Sequence, residues 1–443
     1  MPWEAVVWGL SFLLCLLLLT YRWWEEPADR WVSSLKGGPW LWYLVGFPVA
    51  AVRVPLTWRK VCRVLDLDIP RRPRYSVLNR DTMIKGTALR GVPPRLGMLR
   101  VTRLGFTVTV RLHPGQTPAQ FIAAADALVH AWRVHQVKVI TPRRGVVTVT
   151  ATAYDPLARV GAWPVLPSPR LLAATLGKAD DGSYWTVDLR KSPHWLITGA
   201  TQSGKSTLVA AWLTELGQQP VILVGIDLKG GMELGLYERR LSALATDRQG
   251  AMRLLTSLVA ELMNRMSVCR VAGARSIWDL PDAVRPTPVV LFVDEVAELF
   301  LAASLTGRKE AVECSTLLLR LAQLGAALGV HVILAGQRFG HDLGPGATAI
   351  RAQLGGRICH RVHDEQTAVM TLGDLAPDAV AVAQSITEYE KGVAVTAVDG
   401  QWMRVRSRLV TPDALRQHAE MTGRQVAAAP FLSTVAEDGG VDD

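Results

Sequence analysis

No two cysteines stand in a Cys-x-x-Cys pair, and the five present (Cys15, Cys62, Cys269, Cys314, Cys359) are scattered along 443 residues. That spacing offers neither a disulfide framework nor a thiolate zinc site, and it reads as reduced, mostly buried thiols. The nine histidines are equally dispersed, which argues against a metal held by a His/Cys cluster. Acids are nearly missing from one stretch. Between Arg53 and Arg111 there are fourteen Lys or Arg against Asp66, Asp68 and Asp81 alone. This stretch carries +11 while the whole chain carries +10, so the remainder sums to −1 and the basicity is local. Low-complexity polar sequence is also lacking: 49% of residues are hydrophobic and 20% charged, which excludes a disordered chain. The length allows two or three folded units.

Apolar sequence is concentrated at the start. Ala5 to Thr20 is almost unbroken, edged by Trp3 and by Tyr21 to Trp24, and approaches the roughly 20 residues of a spanning helix. It has no basic start and no small-residue cleavage site, so a retained anchor over residues 5–24 is expected rather than a signal peptide. A second apolar stretch, 39–56, contains Pro48 and Arg53. It is expected to span with Arg53 snorkelling to the surface, or to lie in the interface. Eight of the fifteen Trp fall within the first 58 residues, as membrane-boundary belts would place them. Residues 1–57 thus read as a two-segment, multi-pass anchor in the cell membrane. The basic linker 58–95 lies on the cytoplasmic side, facing anionic lipid or DNA.

Residues 96–160 read as a small α+β module in β-α-β-β order. Phe106, Val108 and Val110 alternate with polar residues, as in a strand with one buried face. Thr117, Pro118 and Gln120 form a helix start, with the helix running to about Trp132. Val137 to Ile140 and Val146 to Thr152 read as strands.

The decisive motif is a P-loop formed by Gly199, Ala200, Thr201, Gln202, Ser203, Gly204, Lys205, Ser206 and Thr207, between a short apolar strand and a helix. The glycines let the backbone curl around an anion, and its N–H groups and the helix N-terminus supply donors. Lys205 adds a full charge near the β- and γ-phosphates of ATP, and the Ser206 hydroxyl is a Mg²⁺ ligand. A second apolar run, Val289 to Val293, ends in Asp294 and Glu295. It reads as a central parallel strand, with Asp294 for the Mg²⁺ shell and Glu295 to deprotonate the attacking water. Gln337, after the strand Val330 to Ala335, is the candidate γ-phosphate sensor. Val221 to Ile226 leads to Asp227 and Lys229. Ala251, Leu254, Leu258, Leu262, Met266 and Cys269 form a core-facing helix stripe. Strands alternating with helices give an α/β, mostly parallel sheet over 165–410.

These residues resemble the FtsK/SpoIIIE family of membrane-anchored DNA-pumping ATPases across roughly Leu96 to Arg408. The P-loop approach, the Asp227-Leu228-Lys229-Gly230-Gly231 segment, Glu261 to Met266, Ala335 to Arg338, and Ile350 to Val362 carry the resemblance. It implies a RecA-like ATP hydrolase that assembles into a ring, a hexamer, and threads double-stranded DNA. Arg357 would be an arginine finger reaching a neighbouring subunit, with Arg361 and Arg338 as alternatives, and a ring-lining loop is expected around 338–345. The layout, a compact anchor on one motor, is similar to actinobacterial plasmid and integrative-element conjugal transfer proteins. Only a helix from Thr411 and an acidic tail fill 411–443, too little for the family's winged helix, so a separate DNA-site reader protein is an expected partner. Alternatives are a protein-secretion motor of the same fold, a chromosome-partitioning DNA pump, and a non-hydrolysing tether.

Overall fold

A computed structural model describes residues 42–71, 90–158, 170–301, 305–340, 343–377, 379–398 and 400–432. The anchor segment 5–24, linker residues 72–89, part of the 338–345 loop and the acidic tail from 433 lie outside the described residues. One unit extends to Pro156 and the second begins at Leu157.

In the first unit a helix, Phe47–Val64, follows a short π-helical turn, Trp42–Gly46. The strands are β1 (Ile69–Arg71), β2 (Arg90–Val92), β3 (Arg95–Leu96), β4 (Arg100–Val101), β5 (Gly105–Arg111), β6 (Gln136–Arg143) and β7 (Val146–Thr152). β1 and β2 pair with each other, and the remaining strands form a second sheet in the order β3-β5-β7-β6, with β4 on β5. Two short helices, Pro118–Ala123 and Ala125–Trp132, connect β5 to β6. Phe106, Val108 and Val110 are buried on one face of β5, as their alternation requires.

The second apolar stretch is not a membrane span. Ala50, Val54, Trp58 and Cys62 of its helix pack in one core with Phe106, Leu128, Trp132 and Val149. Arg53, instead of snorkelling, is 4% exposed and donates to the Trp132 carbonyl at 3.2 Å. Two of the tryptophans assigned to a belt are core residues as well. Trp58 Nε1 donates to Pro94 O at 2.9 Å, and Trp42 Nε1 donates to Gly105 O at 3.0 Å. The boundary expected at residue 57 falls inside this helix, so residues 58–64 continue a packed element rather than opening a linker. Hydropathy alone confuses a core helix with a span, and the buried arginine separates the two. Arg53→Ala should cost this unit about 2 kcal/mol through lost charge-assisted bonding, read as an earlier denaturant midpoint for the tryptophan signal. A membrane-facing Arg53 would leave the midpoint in place.

The second unit is built on a sheet whose strands are β8 (Ala173–Ala179), β9 (Tyr184–Asp188), β10 (His194–Thr198), β11 (Ile222–Ile226), β12 (Ala243–Ala245), β13 (Val289–Val293), β14 (Val330–Gly336), β15 (Gly356–His360), β16 (Val393–Val398) and β17 (Gln401–Ser407). Their order is β12-β11-β13-β14-β10-β15-β16-β17-β8-β9 in a 10-stranded sheet. From β12 to β15 every pairing is parallel, and from β15 to β9 every pairing is antiparallel. The sheet is therefore mixed, with the parallel half holding the motif strands.

That half is buried on both faces. In β13, Val289, Leu291 and Val293 face a core with the helices Arg248–Val271 and Leu305–Leu328, while Val290 and Phe292 face a core with the helix Lys205–Leu216. Unbroken apolar runs are what such strands demand. Among the described residues one helix, Thr306–Leu328, is long and apolar enough to cross a membrane, and its Cys314, Leu318, Leu321 and Leu328 lie in this core. The expected stripe on Arg248–Val271 is buried except at Met266, which is 40% exposed. The neighbouring Arg265 turns inward instead. It donates to Glu261 Oε1 at 2.8 Å, Leu328 O at 2.9 Å and Thr287 O at 2.8 Å, which ties the helix to the base of β13 and β14.

Candidate nucleotide-binding and hydrolytic site

The site forms where the parallel strands end, as ligand sites in open α/β sheets do. β10 runs into the P-loop, and its neighbour β14 ends at Gly336 and Gln337. β13, the next strand over, ends at Asp294 and Glu295. Inserting β14 between the P-loop strand and the acid strand puts Gln337 between the lysine and the carboxylates. Ala200, Thr201, Gln202, Gly204, Lys205, Ser206, Thr207, Asp294, Glu295 and Gln337 all line one cavity of about 580 Å³. Sequence reasoning named each of them.

The loop is shaped by backbone that few residues tolerate. Gly204 has φ +116°, and a Cβ there would stand 2.6 Å from Gly392 Cα. A Cβ on Gly199 would stand 2.6 Å from both His360 Cβ and Ser203 Oγ. Gln202 is held at φ +60°, a left-handed conformation uncommon outside glycine. Neighbouring strands pin the loop: Ala200 N–H donates to Arg361 O at 2.8 Å, and Gly392 N–H donates to Ser203 O at 2.9 Å. The result is a preformed anion cradle.

Lys205 folds back on this cradle, donating to the carbonyls of Gly199 at 2.5 Å and Ala200 at 3.2 Å. Burial lowers its pKa, while the nearby Glu295 and Asp294 oppose the shift. An ammonium held, among the described residues, by two loop carbonyls is poised for a stronger anionic partner. Across the cavity, Asp294 is pushed up from 3.8 to about 6, first by burial and then by Asp227, Glu233 and Glu295 around it. Glu295 is 6% exposed; its Oε1 accepts the Gln337 N–H at 3.3 Å, and its Oε2 lies 3.5 Å from Lys229 Nζ.

Arg357 does not reach outward. It lies in β15, 2% exposed, and donates to the carbonyls of Leu354 at 2.6 Å, Thr371 at 3.3 Å and Arg351 at 2.6 Å. Burial pushes its pKa down to about 10. Its guanidinium is bonded inside its own subunit, which corrects the expectation of a finger there. Of the two alternatives, Arg338 pairs with Asp364 at 2.7 Å, and Arg361 gives its carbonyl to the P-loop.

Sequence reasoning missed Glu233, Lys391, Gly392, Ser407 and Leu409, which also line the cavity. It did not assign His360, fully buried below the loop, with Nδ1 3.1 Å from Val393 O and its pKa driven by burial to about 4. No local pattern announces them. Lys391, Gly392, Ser407, Leu409 and His360 reach the P-loop because β15, β16 and β17 follow β10 in the sheet, whereas Glu233 comes from the turn after β11, tied to Asp227.

Residues 36–153 match the actinomycete conjugal transfer protein N-terminal domain, and residues 157–288 and 281–341 match the FtsK/SpoIIIE family. The chain is 38% identical over 401 residues to the transfer protein TraSA of Streptomyces ambofaciens, covering 87% of this chain and 96% of that one. It is 30% identical over 340 residues to the DNA translocase FtsK of Halalkalibacterium halodurans, covering 70% of this chain but only 42% of the relative. Among solved structures, the pCW3 conjugation coupling protein TcpA, a monomer with ATPγS, superposes with a TM-score of 0.54 at 19% identity, over 74% of this chain and 94% of that one.

Proposed function

The chain belongs to the FtsK/SpoIIIE family and carries the N-terminal domain of actinomycete conjugal transfer proteins, and from that premise we propose that it is an ATP-driven translocase of double-stranded DNA in conjugal transfer. The observation that carries this reading is that the P-loop residues, Asp294, Glu295 and Gln337 line one cavity in a chain whose other unit matches a conjugal transfer domain. A tether without turnover has no use for Glu295 and Gln337 beside the cradle.

In the proposed cycle the triphosphate draws Lys205 from the Gly199 and Ala200 carbonyls, and the loop N–H groups take its oxygens. Glu295 accepts the proton of the attacking water, and Gln337 aligns that water at the strand end between lysine and acid. Mg²⁺ fits the donors present. Ser206 and Asp294 line one cavity, and Asp227, Glu233 and Glu295 crowd Asp294 with negative charge that Lys229 opposes and a divalent cation would relieve. When bound, the cation neutralises phosphate oxygens. The apolar residues 5–24 and their flanking tryptophans support one membrane segment, with the basic stretch and the motor on the cytoplasmic side. Ring assembly is part of this proposal, on the family's pattern, and the residue completing a neighbour's site is to be sought at Arg361 or Arg338.

Detergent-solubilised full-length protein should show ATPase activity stimulated several-fold by double-stranded DNA at low salt. Stimulation should fade log-linearly with salt as phosphate contacts are screened. Basal turnover indifferent to DNA at low salt would overturn the DNA reading and favour a protein-export motor.

A further inference from the structure

The hydrolytic set leaves Lys229, Glu233 and Lys391 of the cavity without a task, and of these Lys229 pairs with Glu295. Lys229 lines the cavity and also a cleft of about 370 Å³ with Glu295, Gln337 and Arg338, so it borders both. Its presentation is constructed. The preceding Asp227 is fully buried, and its carboxylate accepts the N–H groups of Lys229 at 3.2 Å, Glu233 at 2.9 Å and Leu234 at 3.0 Å. Gly230 and Gly231 follow at φ +71° and +75°, a reversal that side chains resist. A carboxylate buried in order to fix a turn aims one ammonium into the site. A lysine on a plain surface turn requires no such support.

That ammonium meets Glu295. It lies 3.5 Å from Oε2, with the Glu295 side chain 7% exposed and the lysine side chain 38% exposed. The other carboxylate oxygen takes the Gln337 N–H from the end of β14. The carboxylate is thus held at both oxygens, by groups from the ends of two different strands. We propose that Lys229 is a positioning residue for hydrolysis, whose charge holds the Glu295 carboxylate in its orientation at the acid end of the cavity. The inference rests on Glu295 acting as the base. A long side chain buried at one face of a cavity has several rotamers, and misplacing a general base by about an ångström costs on the order of a hundredfold in rate.

The test uses the full-length protein with Mg-ATP, comparing Lys229→Met, Lys229→Gln, Lys229→Arg, Glu295→Gln and the Lys229→Met/Glu295→Gln double variant. Lys229→Met should lower kcat about 10- to 100-fold, with KM and the affinity for a fluorescent ATP analogue within about twofold, because the lost interaction acts on the reacting arrangement. Lys229→Arg should recover most of the rate. The double variant should be no slower than Glu295→Gln alone, since the lysine acts through that carboxylate. A tenfold weaker affinity with kcat intact would make Lys229 a phosphate contact and overturn the proposal. So would an Arg variant as poor as Met, or losses that multiply in the double variant. If Lys229→Met melts early, Lys229→Gln supplies the same comparison. Wild-type turnover in the Lys229 variants beside an inactive Glu295→Gln overturns only this role, whereas active Glu295→Gln removes the base assignment and this inference with it.

Discussion

Glu295→Gln should bind ATP as tightly as the wild type and turn it over about a thousandfold more slowly. The amide keeps the side chain's volume, and its carbonyl oxygen still accepts the Gln337 N–H that Glu295 Oε1 takes at 3.3 Å. What disappears is the lone pair that accepts the water's proton. The geometry of the cradle is untouched, because Gly204 and the loop N–H groups come from β10 and the helix after it, two strands away from β13. Nucleotide affinity and turnover should therefore separate cleanly, as a loss confined to the transition state does. Phosphate release and equilibrium binding of a fluorescent analogue measure the two. Turnover within threefold of wild type would take Glu295 out of the chemistry.

The same separation explains what could be read in the sequence. The P-loop and the acid pair were legible because each is contiguous: glycine spacing dictates the loop, and an apolar strand that ends in acids, common on its own, gains its meaning beside a P-loop. The parallel half of the sheet followed from the run at Val289 to Val293, apolar on both faces, and from Val330 to Ala335, apolar but for His331. The second membrane segment was misread because a core helix and a spanning helix share hydropathy. Arg53 was the clue, and its partner, the Trp132 carbonyl, is far off in sequence. Arg357 was misread for a related reason. A motif gives a residue's address but not the direction of its side chain, and the three carbonyls around that guanidinium come from the end of the helix just before the strand, at Arg351 and Leu354, and from the helix after it, at Thr371. Gly392 touches the P-loop through strand order alone, which has no local signature.

Asp294→Asn should give a protein that is inactive yet harder to unfold when empty. The carboxylate's pKa rises from 3.8 to about 6 in the folded chain, through burial first and then through Asp227 and Glu233. Between those values the folded state holds more protons than the unfolded one, so stability falls as pH rises through the window. Above about pH 6 the full cost of keeping this charge buried is present. The shift corresponds to at most about 3 kcal/mol, and partial exposure to solvent reduces it to about 1–2 kcal/mol. Asparagine removes the charge at similar volume, so the empty variant should melt a few degrees higher at pH 7.5. That advantage should vanish near pH 4, where both proteins are neutral at this position. Saturating Mg-ATP should reverse the order, because ligand binding stabilises only a chain that still binds it tightly. Melting curves at both pH values, with and without Mg-ATP, make the comparison. A variant that melts lower than wild type when empty at pH 7.5 would show that Asp294 holds the fold together rather than straining it toward a cation.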